Sequence, residues 1–421
     1  MTYGESLAYL FALGPELKTV KWDLERVRAL LAVLGNPQER CRFIHVAGTN
    51  GKGSVCAMLE SALRASGLRT GLYTSPHLVE ARERIRIDGE LIAEAAWVAA
   101  FDRVHAAAEE LLGREAIDTH PSFFESLTAM AFVAFAEAAV DIVVLEVGLG
   151  GRLDATNVVT PEVAVITPVD FDHEAFLGSS IESIAAEKAG IIKARRPVVF
   201  AEQRPEAFRV LERRALELDA PVTLSSAWRV DELEILPNGS RFTLTADEAI
   251  PVECPLAGEH QVENARTAAA ALSIFGISAA AIREGIARAK WPGRLEFLGG
   301  FILDGAHNPA GARALAAYIG RFFANEPVRL IYGAMRDKAI DEVIGALFPL
   351  AAEVILTAPE QPRALSPETL AEATDHASVL IAPTLPDAIR LARAKPMTTF
   401  ITGSLFLVGE ARALLAAREA R

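Results

Sequence analysis

Ile44-His45-Val46-Ala47-Gly48-Thr49-Asn50-Gly51-Lys52-Gly53-Ser54 begins as a β-branched apolar run with Phe43, breaks into three closely spaced glycines, and passes over Val55 to Ala65 into helical apolar spacing. Strand, glycine turn and helix form the context of a phosphate-binding turn. Backbone N–H groups of the turn and of the helix start would face an anion. The Lys52 ammonium would reach the outer phosphates, and the Ser54 hydroxyl could face Mg²⁺. Only Thr49 and Asn50 separate Gly48 from Gly51. The full spacing of four residues before the Gly-Lys pair is therefore absent.

The chain has 421 residues, which predicts at least two domains. Half of it is hydrophobic and the formal charge is −13, a balance that argues against broad nucleic-acid or anionic-membrane binding. No secretory pattern opens the sequence, and no run approaches the roughly 18 apolar residues of a membrane span, so the expected compartment is the cytoplasm. Cys41, Cys56 and Cys254 lack metal-ligand spacing and are read as reduced core thiols.

Outward from the glycine turn, Thr2 to Glu39 reads as a helical pair, Arg69 to Thr74 as a second strand, and the charged residues 79–90 as a flexible surface loop. Helices are predicted over Ala93–Leu112, Phe123–Ala139 and Ile181–Ala189, with strands at Asp141–Val147, Val163–Thr167 and Pro197–Ala201. Alternating strands and helices predict a doubly wound α/β sheet whose ligands sit at the strands' carboxyl ends. From Pro221 to Cys254 the period becomes two, beginning with Val222-Thr223-Leu224, which predicts a small antiparallel patch. Helices Gln261–Phe275 and Ala279–Ala289 follow. Trp291-Pro292-Gly293-Arg294 reads as a hinge, and five further apolar strands predict a second, Rossmann-like α/β domain. The expected division is 1–290, a hinge at 291–294, and 295–421.

Glu146 interrupts a buried strand near its carboxyl end, where an isolated carboxylate is costly. It is either a Mg²⁺ ligand or a core acid paired with a basic residue. The glycines that follow allow close approach to a ligand, and Asp154 and Asn157 could hydrogen-bond a flat heterocycle. His173, in Thr167-Pro168-Val169-Asp170-Phe171-Asp172-His173, is either a structural histidine or a ligand at the same sheet edge. Lys188 by itself reads as an ordinary helix lysine. Leu303-Asp304-Gly305-Ala306-His307-Asn308-Pro309 is another strand-to-helix junction, and His260, Asn264 and Arg294 complete a second polar cluster.

With these motifs in order, the chain resembles the folylpolyglutamate synthase and dihydrofolate synthase family within the Mur-ligase superfamily. The resemblance rests on residues 45–54, Tyr73-Thr74-Ser75-Pro76-His77-Leu78, residues 145–157 and residues 303–309. It implies an ATP-dependent ligase that adds L-glutamate to dihydropteroate, to tetrahydrofolate, or to both, through an acyl phosphate.

By the same resemblance Gly51, Lys52, Gly53 and Ser54 bind the ATP phosphates, Ser75 and Glu146 hold one Mg²⁺, and Glu146 and His173 hold a second. Lys188 corresponds to a carbamylated lysine. Asn264, Arg294 and Asp304 match nucleotide contacts, and His307 and Ser404 match positions near the glutamate. Ser122, Phe123, Phe124 and Glu125, with Leu153, Asp154 and Ala155, match the pterin site. The expected enzyme is a monomer with small-molecule substrates only. Two other readings stay open: a cell-wall Mur ligase, which the missing N-terminal nucleotide-sugar domain disfavours, and a phosphate-loop phosphotransferase or nucleotide sensor, which the second lobe disfavours.

Overall fold

The computed structural model describes residues 1–14, 23–336 and 339–419. The N-terminal helical pair consists of α1 (Tyr3–Ala12) and α2 (Glu25–Val33); residues 15–22 of that stretch lie outside the described residues. There follow β1 (Phe43–Ala47), α3 (Lys52–Ala65), β2 (Thr70–Tyr73), β3 (Ile85–Ile87), β4 (Glu90–Leu91), α4 (Glu94–Gly113), α5 (Phe123–Glu137), β5 (Ile142–Glu146) and β6 (Val163–Ile166). The large lobe continues with α6 (Glu174–Leu177), α7 (Ile181–Lys188), β7 (Val198–Phe200), α8 (Pro205–Glu217) and β8 (Val222–Leu224). It ends with β9 (Arg229–Leu236), β10 (Gly239–Thr245), β11 (Ala249–Cys254), α9 (His260–Ile274) and α10 (Ala279–Arg288).

One eight-stranded sheet runs β4-β3-β2-β5-β1-β6-β7-β8. From β2 to β8 its pairings are parallel. β1 sits where the strand order reverses, with β5 on one side and β6 on the other. Their carboxyl ends therefore converge on one crevice, as doubly wound sheets require. β1 and β5 are buried throughout because helices cover both faces. On one face α4 and α5 bring Trp97, Phe101, Phe132 and Phe135 into the core; on the other α3, α9 and α10 bring Met58, Leu59, Leu272 and Ile286.

Two expectations are corrected. Residues 79–90 hold an antiparallel extension of the sheet, with β3 on β2 and β4 on β3, rather than a loop. Val222–Leu224 joins the main sheet in parallel with β7, so the antiparallel patch consists of β9, β10 and β11 alone. Helix α8, which the sequence reading passed over, carries Ala207, Leu211 and Ala215 into the core beside β7.

The small lobe comprises β12 (Glu296–Leu298), β13 (Phe301–Leu303), α11 (Pro309–Phe322), β14 (Val328–Tyr332), α12 (Ile340–Leu347), β15 (Glu353–Leu356), α13 (Pro367–Glu372), β16 (Val379–Ile381), α14 (Leu385–Ala394), β17 (Thr398–Thr402) and α15 (Leu405–Glu419). Its sheet, β12-β13-β17-β14-β15-β16, contains all five anticipated strands and gains β12 as an antiparallel edge. Cys56 and Cys254 are buried free thiols, and Cys41 is a half-buried one. Among the described residues no helix is long and apolar enough to cross a membrane.

Candidate active site

Several helices here begin on a serine, threonine or asparagine whose side chain accepts an early backbone N–H. Thr2 does this for α1 and Ser122 for α5. Helix α3, like α2 and α4, has no side-chain cap; its cap residue is Gly51, at φ +86°. The first amides of α3 are therefore unspent and face the crevice. A Cβ on Gly51 would fall 2.4 Å from the Asn264 Oδ1, so the turn passes directly beneath α9.

Around this turn lies a cleft of about 800 Å³ between the lobes. Lys52, Ser54, Ser75, Glu146, His173, Lys188, Asn264, Arg294, Asp304 and His307 all line it. The Lys52 Nζ donates to the Thr49 carbonyl at 3.1 Å, and the Ser54 hydroxyl accepts the Gln261 amide at 3.2 Å. The histidine of the quoted stretch does not line the cleft. His45 is fully buried against the Thr156 hydroxyl at 2.9 Å, and burial pushes its pKa down to about 3.

Two buried groups carry charge that the protein compensates poorly. Glu146 accepts the Ser75 N–H at 3.2 Å, and burial pushes its pKa up to about 7 against the pull of Lys52, Arg294 and Arg84. Lys188 donates to the Gly48 carbonyl at 2.9 Å, and burial together with the Lys52 charge brings its pKa down to about 7. A half-neutral buried lysine and a carboxylate lacking sufficient positive charge are the pair expected where a ligand supplies the missing charge. Ser75 and Glu146 offer hard oxygen donors, which suit Mg²⁺. His173 begins α6 with φ +53° and has its Nε2 3.8 Å from the Asp172 carboxylate.

From the small lobe, the Asp304 carboxylate accepts the Leu295 and Ala306 N–H groups, both at 3.0 Å, while Arg294 faces both Asp304 and Glu146. Burial raises the Asp304 pKa and Arg294 opposes that rise. The His307 Nδ1–H donates to the Gly305 carbonyl at 2.7 Å, leaving Nε2 3.5 Å from Asp172.

Several contributors escaped the sequence reading. The Asn308 Nδ2 donates to Asn50 and Asp172, both at 3.0 Å, and Arg313 pairs with Asp170 at 2.7 Å, so the small lobe is docked onto the glycine turn. Trp291, read only as hinge, lies against the turn: a Cβ on Gly53 would meet its ring at 2.6 Å.

The remaining expected residues lie outside the lining of this cleft. Ser404 is buried, and its hydroxyl accepts the Phe406 N–H at 3.2 Å, starting α15. Ser122 and Glu125 form the capping box of α5, and Glu125 takes the Arg26 guanidinium, with Nη2 to Oε2 at 2.7 Å, in a buried pair. Phe123 stacks on Phe11. Phe124 packs over Gly148, where a Cβ would sit 2.4 Å from the ring, which brings this group beside the cleft floor. The Asp154 carboxylate accepts the Leu149 and Thr156 N–H groups at 2.9 and 3.0 Å, and Leu153 and Ala155 flank it.

Comparison with known proteins places this geometry. The Mur ligase middle domain matches residues 46–272, and the Mur ligase glutamate ligase domain matches residues 293–405. A dihydrofolate synthase/folylpolyglutamate synthase of Bacillus subtilis is 37% identical over 93% of this chain and 95% of its own length. The chain belongs to the folylpolyglutamate synthase and dihydrofolate synthase family of Mur ligases. The folylpolyglutamate synthase of Mycobacterium tuberculosis complexed with ADP and AMPPCP superposes with a TM-score of 0.90 at 38% identity, covering 97% of this chain and 99% of that one. E. coli FolC in complex with DHPP and ADP gives 0.88 at 33% identity, covering 100% and 99%. This ligase therefore shares its α/β fold with enzymes solved around an adenine nucleotide.

Proposed function

We propose that this ligase joins L-glutamate to dihydropteroate and to reduced folates at the expense of ATP, as a cytoplasmic monomer. The observation that supports this most is the unspent amino end of α3, set in one cleft with Lys52, Glu146 and Lys188 and facing a second lobe with its own polar junction. In this reading residues 1–290 bind ATP, 291–294 hinge, and 295–421 close over the acyl intermediate.

The acceptor's carboxylate oxygen attacks the γ-phosphorus and ADP departs. The neutral glutamate amine then attacks the acyl carbon, phosphate leaves with the C–O electron pair, and the new amide nitrogen gives up one proton to the released phosphate. Amides of Gly51, Gly53 and Ser54 together with Lys52 stabilise charge on the transferring phosphoryl, and Asn264, Arg294 and Asp304 hold the nucleotide from the other side. His307 and Ser404 lie on the small-lobe side assigned to glutamate. Ser122 to Glu125 and Leu153 to Ala155, with Phe124 as the stacking ring, are assigned to the pterin.

Ser75, Glu146 and His173 would hold two Mg²⁺, which neutralise phosphate charge when bound. Lys188 is assigned as a carbamate: its neutral amine adds to CO₂, one proton is released, and the cation becomes an anion. That anion suits a site for Mg²⁺, which the ammonium would repel. Docking of the lobes through Asn308, Asp172 and Arg313 orients the reactants and excludes water from the acyl phosphate.

Incubating the protein with ATP, glutamate and either dihydropteroate or tetrahydrofolate, and reading ADP release, tests the proposal. Glutamate-dependent release with both acceptors is expected. Release with tetrahydrofolate alone restricts the enzyme to folylpolyglutamate synthesis, and release indifferent to glutamate overturns ligation. Lys52→Ala is expected to lower the glutamate-dependent rate at least ~100-fold with an unchanged fold by circular dichroism; near-normal turnover would remove Lys52 from its role.

A further inference from the structure

Away from the cleft, three metal-ligating side chains meet where α1, α4 and the loop leading into α5 come together. His105 and Glu109 stand one turn apart on α4, and His120 lies in that loop. The His105 Nδ1 and the His120 Nε2 are each 3.9 Å from the Glu109 Oε1, and the three ligand atoms lie within 4.8 Å of one another. Ligands on a tetrahedral ion with bonds near 2.1 Å are separated by about 3.4 Å, so a modest closing of the side chains completes the shell.

The nitrogen chemistry also suits an ion. The His120 Nδ1–H donates to the Pro121 carbonyl at 2.9 Å, which leaves Nε2 of the neutral ring as a bare lone pair. A carbonyl on the far nitrogen is the usual support of a metal-ligating imidazole. That lone pair now accepts the Tyr9 hydroxyl at 3.1 Å. The His105 Nδ1 is buried and has no hydrogen-bond partner among the described residues. Its ring is held in place by Phe101, stacked at 5.6 Å, and by Tyr9, edge-on at 4.7 Å. None of the three ligands lines the ATP cleft.

The geometry points to a second, separate metal site: His105, Glu109 and His120 bind one divalent transition ion of the zinc class, with water in the fourth position. Two imidazoles and one carboxylate favour such an ion over Mg²⁺, which prefers oxygen ligands. The Tyr9 hydroxyl turns from the His120 Nε2 to the bound water as the ion enters. Because His120 lies two residues before Ser122, the ion clips the start of α5 to α4, and with it the arm carrying Phe123 and Phe124.

The test uses the metal-stripped full chain, titrated with Co²⁺ in excess Mg²⁺ so that oxygen-rich sites in the cleft are occupied. One Co²⁺ per chain with the visible absorption of a tetrahedral ion is expected, displaced by Zn²⁺. Glu109 is exposed, so Glu109→Ala should leave the metal-free Tm unchanged while weakening Zn²⁺ binding at least about tenfold, and His120→Ala should abolish the band. Zn²⁺ should raise the Tm of the wild type, raise that of Glu109→Ala less at the same concentration, and leave His120→Ala unmoved. No band in the wild type, or equal Zn²⁺ affinity in wild type and Glu109→Ala, overturns the site.

Discussion

The two strand-to-helix junctions that face each other across the cleft, β1 into α3 and β13 into α11, look alike in sequence and are wired oppositely. At the first, Gly51 leaves the start of α3 open, and the nearby charges on Glu146 and Lys188 are poorly compensated. At the second, the Asn308 Oδ1 accepts the Gly311 N–H at 2.8 Å and closes α11, while Asp304 gives its oxygens to the Leu295 and Ala306 amides. An open helix start beside unbalanced charge is a binding device, and a capped start is scaffolding that holds the side chains beside it in place. Changes at the large-lobe junction should therefore cost rate and ligand binding without costing stability, and loss of the small-lobe cap should cost stability.

The largest effect is expected at Lys188. Lys188→Ala should lower the ligase rate at least ~100-fold with little change in Tm. For the native residue, a pKa near 7 means that acidification from pH 8 to 6 converts the amine to an ammonium that cannot attack CO₂. Activity at limiting bicarbonate should fall through that window and be restored by added bicarbonate on the alkaline side only. A ¹³C-bicarbonate NMR experiment should show a carbamate resonance at pH 8 that is missing from Lys188→Arg. Its persistence in the variant would detach the carbamate from this lysine.

Next comes Glu146, whose effect appears as a gain. Its folded pKa of about 7 lies above the ordinary 4.5, so the folded state holds the proton more tightly than the unfolded one. Stability is thus lost as pH rises from 4.5 through 7, and the full cost is present above 7. Glu146→Gln should match wild type near pH 4.5 and be more stable by about 3 kcal/mol at pH 8 by chemical denaturation, while losing activity. Equal stability at both pH values would mean that the carboxylate is already compensated, and the contrast between the junctions would fail.

How much of this was legible follows from which forces are local. The central strands were plain, because burial on both faces leaves a continuous apolar run, as in Ile142 to Leu145. Residues 85–91 were misread because edge strands of two or three residues are short and charged, like loops. Val222–Leu224 was misassigned for a similar reason. It is a partly exposed edge strand, so its alternation resembles that of the antiparallel patch beside it. Lys188 gave no signal in its own window, since its low pKa arises only when folding buries it near the Lys52 charge. Asn308 and Asp172 are 136 positions apart, and nothing local encodes their contact.

Asn308 gives the smallest effect and separates two roles in one side chain. Its Oδ1 caps α11, and its Nδ2 reaches Asn50 and Asp172 in the other lobe. Asn308→Ala removes both and should cost about 1–2 kcal/mol. Serine is an equally good cap with a shorter reach, so Asn308→Ser should recover about 1 kcal/mol of that loss while still failing to dock the lobes. If the junction is scaffolding, the serine variant approaches wild-type Tm and its remaining defect is a raised KM for ATP and glutamate. If Ser and Ala variants melt together, the cap contributes nothing and docking carries the whole stabilisation. The small-lobe junction would then belong with the ligand-binding side of the comparison.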